Sequence, residues 1–324
     1  MRKLVFVGAI VICFFILFYA NSSTDEKKEC GNLQIVVLNV GQADAIVIFT
    51  SKNKTILIDS GSKLRANSSE QVINFLKSNN IKRIDYVIAT HNHEDHIGGM
   101  KDVFFEFGIG TIIDNGNCAN YSTKTQQNYD SMKKIYNYLK LEDNLKIDID
   151  ECTQIYLFAP YSSDCSLDEN QNSIVVKLIH NENSFLFTGD CGAVCENKLL
   201  DFQTDLQSDF LKVGHHGSSD ASSKEFLGKV NAKFYAISVD FEKSIELGYY
   251  FPRKKTLESI YEIENSSLYR TDINGNIKII SDGKNIFITS DALGNDCDIF
   301  SGYSDAKKES YSVIGPLKNQ CPVN

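Results

Sequence analysis

The chain contains only six histidines, and five of them fall in two short stretches. The first reads Thr90-His91-Asn92-His93-Glu94-Asp95-His96 and the second Gly214-His215-His216-Gly217. Each follows an apolar run, Ile84 to Ala89 and Phe210 to Val213, short enough to predict a buried strand. Both motifs therefore sit at strand ends, where loops on a rigid scaffold carry function. Imidazole and carboxylate are the ligands that divalent zinc, manganese or iron take when a site must keep an open position for water or substrate. On an extended turn leaving a strand, alternate side chains such as His91 and His93 point the same way, while Asp95 and His96 reach a neighbouring position after the chain bends. The spacing predicts two adjoining metal sites. A polar loop whose rings bond to backbone would explain any one histidine, but it explains three histidines and an aspartate within six residues poorly.

Thr188-Gly189-Asp190 closes another apolar strand and places a carboxylate at a sheet terminus, where a bridging ligand can sit. Taken alone, Asp190 is equally well read as the cap of a helix starting near Ala193. His180, beside Asn181 and Asn183 in an expected hairpin turn, reads as a surface residue.

Strands are expected at Leu33 to Val40, Ala45 to Phe49, Thr55 to Ile58, Gln154 to Phe158, Ser173 to Ile179, Ser184 to Phe187, Phe234 to Val239, Asn276 to Ile280 and Ile286 to Ile288. Helical spacing predicts helices around Val72 to Leu76, Tyr129 to Leu141, Ala193 to Phe202, Lys224 to Leu227 and Lys255 to Tyr261. Strands followed by mixed helix and strand units suit an α/β protein with two sheets between helices. An apolar content of 42% and a charged content of 23% are those of a globular protein with a substantial core. The net charge of -9 argues against a broadly basic nucleic-acid-binding face. A nucleic-acid substrate held mainly by metal ions is compatible with it.

The chain opens Met1-Arg2-Lys3, then runs apolar from Leu4 to Ala20 and polar from Asn21 to Glu29. Residues 1–29 are expected to be a membrane signal-anchor, favoured over a cleaved signal peptide, plus a linker. The leading positive charges put everything after the run on the extracellular side, anchored or secreted. Setting aside Cys13 in the apolar run, eight cysteines remain, an even set that suits disulfides in an oxidising compartment. Cys191 and Cys195 are spaced for a local bridge, and Cys30 with Cys321 or Cys297 would tie the domain ends together. Residues 30–290 are expected to form one folded catalytic domain, and residues 291–324 an irregular, disulfide-pinned extension.

Asp59 in Leu57-Ile58-Asp59-Ser60-Gly61, the HxHxDH stretch, Thr188-Gly189-Asp190 and the histidine pair together resemble the successive motifs of the metallo-β-lactamase superfamily. More narrowly, Asn39-Val40-Gly41-Gln42-Ala43-Asp44-Ala45, Asn172-Ser173, Leu211-Lys212-Val213-Gly214-His215-His216-Gly217-Ser218 and Tyr269-Arg270-Thr271-Asp272-Ile273-Asn274-Gly275 resemble the extracellular hydrolase domain of the ComEC competence proteins. The resemblance implies an αββα sandwich holding one or two divalent metal ions, zinc foremost and manganese as the alternative. It assigns His91 and His93 to the first ion, Asp95, His96 and His216 to the second, and Asp190 to both. It places His215 facing the substrate, Asp59 in support of the metal loop, and Asn172 where this subgroup has an asparagine. The sequence departs from the pattern in having only His180 between the first motif and Asp190, and Tyr249-Tyr250-Phe251-Pro252 where the competence-type domains tend to carry Tyr-Gly-His-Pro. The multispanning channel of those proteins is not part of this sequence.

The expected function is an exported metal-dependent phosphodiesterase acting on nucleic acid, DNA among its expected substrates, with Asp95 or Asp190 orienting the attacking water and His215 assisting the leaving group. The alternatives are a phosphoesterase of choline-bearing or other cell-envelope polymers, for which Tyr249, Tyr250 and Phe251 are candidate cation-binding aromatics, and a non-catalytic metal-containing binding module of the cell surface.

Overall fold

The computed structural model describes residues 30–64, 68–116, 123–159, 168–202 and 204–292. Six strands open the fold: β1 (Leu33–Val37), β2 (Ile46–Phe49), β3 (Thr55–Ile58), β4 (Arg83–Ala89), β5 (Gly108–Asp114) and β6 (Asn137–Lys140). A second set follows: β7 (Leu145–Asp148), β8 (Thr153–Phe158), β9 (Val175–His180), β10 (Asn183–Phe187), β11 (Phe210–Lys212), β12 (Phe234–Ile237) and β13 (Ser267–Arg270). The chain then returns to the first sheet with β14 (Ile277–Ser281) and β15 (Ile286–Ser290). The first sheet runs β15-β14-β1-β2-β3-β4-β5-β6 and the second β13-β12-β11-β10-β9-β8-β7.

Side-chain alternation builds three apolar layers from these two sheets. Ile35, Ile48, Ile56 and Ile88 of the first sheet face Ile155, Leu178, Phe185 and Phe210 of the second. The alternate residues Val36, Val47, Leu57 and Val87 point the other way, onto Val72 and Leu76 of the helix Ser68–Ser78 and Met100 and Val103 of the helix Met100–Glu106. Leu186, Leu211, Tyr235 and Ile237 likewise pack under the helices Ala193–Asp201, Lys224–Val230 and Lys254–Tyr261. Burial on both faces explains why these strands read as nearly continuous apolar runs. The expected αββα sandwich is the observed architecture.

Both sheets change from antiparallel to parallel pairing part way across, and this positions the site. β3, β4 and β5 are mutually parallel, as are β10, β11, β12 and β13. Parallel strands deliver their carboxyl ends to one edge, the usual location of a ligand crevice in α/β folds. Asp59 after β3, the HxHxDH turn after β4, Asp190 after β10 and His215-His216 after β11 all lie on that edge.

Several sequence expectations are corrected. The single helix Tyr129 to Leu141 is instead the helix Lys124–Lys133 followed by β6. Thr123 and Gln126 form a reciprocal cap that starts the helix earlier, and Tyr138 and Leu139 pair with β5 as an edge strand. Ile135, one of the residues that suggested a continuous helix, is exposed. His180 is not a surface residue. It ends β9 fully buried, its Nδ1 2.8 Å from Ser281 Oγ, because the β14–β15 hairpin folds over it. Cys30 bonds to Cys152, fastening the start of the domain to the second sheet, in place of Cys297 or Cys321. The local Cys191–Cys195 bridge is present. Among the described residues no helix is long and apolar enough to cross a membrane. The Leu4 to Ala20 run, Cys297 and Cys321 lie outside the described residues.

Candidate metal centre

Asp59 is the hub of the first half of the site. Its backbone takes φ 57°, in the left-handed region, and its fully buried carboxylate accepts hydrogen bonds from Thr90 N (2.8 Å), Thr90 Oγ1 (2.8 Å) and His96 Nδ1 (2.8 Å). A carboxylate can only accept, so the proton of the His96 ring sits on Nδ1 and its Nε2 lone pair is turned inward, the arrangement that orients metal-binding histidines.

The second sheet repeats the device. His216 Nδ1 donates to Ser238 O at 2.9 Å, which turns its Nε2 toward Asp95 Oδ2 (3.6 Å) and Asp190 Oδ2 (3.7 Å). His215 Nδ1 is held by Asp220 Oδ1 at 2.9 Å, leaving Nε2 3.3 Å from Asn170 Nδ2 and 3.9 Å from Asp190 Oδ2. Both histidines sit at positive φ, 48° and 50°. Backbone held there costs on the order of 1–3 kcal/mol per residue and persists where surrounding contacts over-determine it. Gly189, also at positive φ, lets the end of β10 approach β4: a Cβ there would lie 2.8 Å from Thr90.

Asp190 lies where the two halves meet. Its Oδ2 is 3.2 Å from His96 Nε2 and 3.9 Å from His91 Nε2, and its backbone N–H donates to Ser173 Oγ. His96 Nε2 and Asp190 Oδ2 thus stand as a buried ion pair. His96 Nε2, His216 Nε2 and Asp190 Oδ1 are all buried without a hydrogen-bond partner. Orphaned buried polar atoms of this kind are costly, and their convergence fits a shared cation. Mutually close ligand atoms come from His91, His96 and Asp190, from Asp95, His96 and His216, and from Asp44, Asp190 and His216. His93 stands beside them, its Nδ1 3.1 Å from His91 Nε2. The residues present therefore fit divalent metal ions.

The electrostatics agree. Burial and the neighbouring His96 and His93 hold His91 well below the usual imidazole range. Burial opposes charge on His96, yet Asp190 and Asp59 outweigh it and raise the ring well above that range. Burial likewise would raise the Asp190 carboxyl, but His96, His216 and His215 hold it well below its ordinary value. His215 is pushed up to about 9, Asp190 and Asp220 overcoming the opposing effect of burial. Positive charge is favoured at the centre, and a cation can take the place of the ring protons.

Asn172 is buried, but its side-chain amide makes no hydrogen bond; only its carbonyl is engaged, by Asn115 Nδ2 at 2.8 Å. Its neighbours Asn170 and Ser173 make the contacts to His215, Asp190 and His91. Sequence reading also missed Asp44, Lys212 and Asp220 as functional residues. Lys212 Nζ, fully buried, donates to Asp44 Oδ2 at 2.9 Å, and Asp44 Oδ1 lies 3.7 Å from His216 Nδ1. The signal was available in Phe210-Leu211-Lys212-Val213, where one charge interrupts an apolar strand and requires a buried partner.

A family model described as the metallo-beta-lactamase superfamily matches residues 38–237, and the chain belongs to that superfamily. It is similar to the ComE operon protein 3 of Bacillus subtilis (strain 168), 24% identical over an alignment of 296 residues that covers 86% of this chain and 36% of that protein. It is also similar to Recombination protein 2 of Haemophilus influenzae (strain ATCC 51907 / DSM 11121 / KW20 / Rd), 24% identical over 274 residues, 84% of this chain and 31% of that protein. The chain thus spans about a third of the length of these relatives. Among solved structures, a diphosphatase of the PhnP family aligns at a TM-score of 0.47 and 14% identity, covering 80% of this chain and 98% of that one. The resemblance to the ComEC competence proteins, drawn from short motifs, extends along most of the chain.

Proposed function

We propose that the protein is an exported phosphodiesterase whose substrate is nucleic acid, with two divalent ions, zinc foremost, held by His91, His93, Asp95, His96, Asp190 and His216. The observation that carries the reading is the convergence of His96 Nε2, His216 Nε2 and Asp190 Oδ1, all buried and outside the hydrogen-bond network, from two different sheets. Bound divalent ions supply Lewis acidity toward a phosphoryl oxygen and lower the pKa of water to about 7. Asp190, common to ligand sets on both sides, fixes the separation of the two halves. Asp95, part-exposed at the mouth, orients the attacking water. His215 faces the open side, its ring held by Asp220, and donates its Nε2 proton to the departing alkoxide oxygen as the water oxygen bonds to phosphorus. Export is supported by the apolar N-terminal run and by the Cys30–Cys152 and Cys191–Cys195 disulfides, which belong to oxidising compartments. The similarity to competence proteins favours nucleic acid as the phosphodiester.

Incubating the purified full-length protein, loaded with zinc or manganese, with a single-stranded oligodeoxynucleotide and with bis(p-nitrophenyl) phosphate tests this. Turnover of both, stopped by a chelator, is expected. Turnover of neither under either metal would overturn the reading.

A further inference from the structure

The segment Tyr249-Tyr250-Phe251-Pro252-Arg253 packs against the His215-His216-Gly217 turn beside the metal centre, and its construction is that of a rigid part. The backbone N–H groups of Tyr249 and Tyr250 both reach Ser244 O, and Phe251 N donates to the buried Ser244 Oγ at 2.6 Å. Tyr250 is held at φ 59°. Pro252 packs so closely on Gly217 that a Cβ there would lie 2.6 Å from it, and Arg253 N donates to Gly217 O at 2.8 Å. The segment is thereby bolted to the His215-His216 turn.

Its side chains form a continuous aromatic row leading away from the chemistry. The Phe251 ring meets His215 edge-on at 5.3 Å, and Tyr249 stacks on Phe251 at 5.5 Å with 17° between planes. Phe251 is buried, whereas Tyr249 and Tyr250 are 38% and 44% exposed. The Arg253 guanidinium stands 5.7 Å from the centroids of both Tyr250 and Phe251, and its Nε is buried without a hydrogen-bond partner. Among the described residues no carboxylate pairs with it.

We propose that Tyr249 and Tyr250, with Arg253 beside them, are a stacking shelf for an unpaired nucleobase next to the scissile phosphate, which makes single-stranded nucleic acid the preferred substrate. This rests on the phosphodiesterase reading. Flat exposed rings accept any base through its π-face, but only when that face is not already covered in a duplex. An aromatic wall could instead take a quaternary ammonium group. Arg253 decides against that: its positive charge already lies over two of the rings and repels a second cation, while it attracts the phosphate that accompanies a base.

The test compares kcat/KM of the full-length, metal-loaded protein for oligodeoxythymidylate and for an abasic tetrahydrofuran oligomer of equal length, in wild type, Tyr250→Ala and Tyr250→Phe. Wild type should favour the base-bearing oligomer by roughly tenfold or more, chiefly through KM. Tyr250→Ala should bring the ratio close to one, and Tyr250→Phe should restore it. Cleavage of both oligomers at equal efficiency by wild type would overturn the shelf while leaving the phosphodiesterase intact; cleavage of neither would remove the reading beneath it. Inhibition by phosphocholine at lower concentration than by thymidine monophosphate, relieved in Tyr250→Ala, would also overturn the shelf, in favour of a cationic headgroup.

Discussion

Lys212→Met is expected to destabilise the fold by about 3–5 kcal/mol, the penalty for leaving one member of a buried ion pair without the other. Lys212 lies in β11 and is fully buried, and its ammonium touches Asp44 Oδ2 at 2.9 Å and Val213 O at 3.1 Å. Asp44 belongs to the opposite half of the site. Its backbone N–H donates to Asp95 O, and its carbonyl accepts from Gly61 N. The pair therefore ties the turn that carries Asp95 and His96 to the strand that leads into His216. Methionine would fill the volume but leave the buried Asp44 carboxylate without its ammonium partner. Urea denaturation should show a lower midpoint with an unchanged slope, and adding Asp44→Asn should recover a large part of the loss by removing the stranded charge. A loss below about 1 kcal/mol, the range of surface ion pairs, would show that the pair is not buried as described.

Asp190→Ala is expected to lower kcat/KM on a phosphodiester by at least about a thousandfold, the upper range for deleting one charge-stabilising group from an active site, while the protein stays folded. Four ring nitrogens lie within 4 Å of its Oδ2, from His91, His96, His215 and His216, and among the described residues no other single carboxylate joins the same groups. The backbone there does not depend on that side chain. Asp190 N is held by Ser173 Oγ, Cys191 N by Thr188 O, and the following turn by the Cys191–Cys195 bond. Near-wild-type turnover in a soluble Asp190→Ala protein, followed by product release from the same phosphodiester, would contradict this role.

The two histidine motifs and Asp190 were legible in the sequence because each lies on one short turn directly after an apolar strand, so local pattern alone places them at sheet ends. The two sheets between helices followed from the order of strands and mixed helix and strand units. Asp44 with Lys212 was not legible: the partners are 168 residues apart and meet only across two sheets. Periodicity also failed at the edges. β6 is exposed at every residue and so shows no buried face, and Tyr136 and Leu139 looked like a continuing helix; β7 does alternate Leu145 and Ile147 with polar residues, but over only four positions. His180 read as a turn residue because its hairpin is local, whereas the strand that covers it arrives about a hundred residues later. Cys30 could not be assigned its partner because an even set of cysteines constrains the number of bridges but not their connectivity.

Metal content of the full-length protein after loading with zinc or manganese and desalting, determined by mass spectrometry beside Asp190→Ala, tests the central claim most directly. Two ions per wild-type chain, falling to one or none in Asp190→Ala, are predicted. A wild-type chain that stays folded and retains no divalent ion would contradict the account.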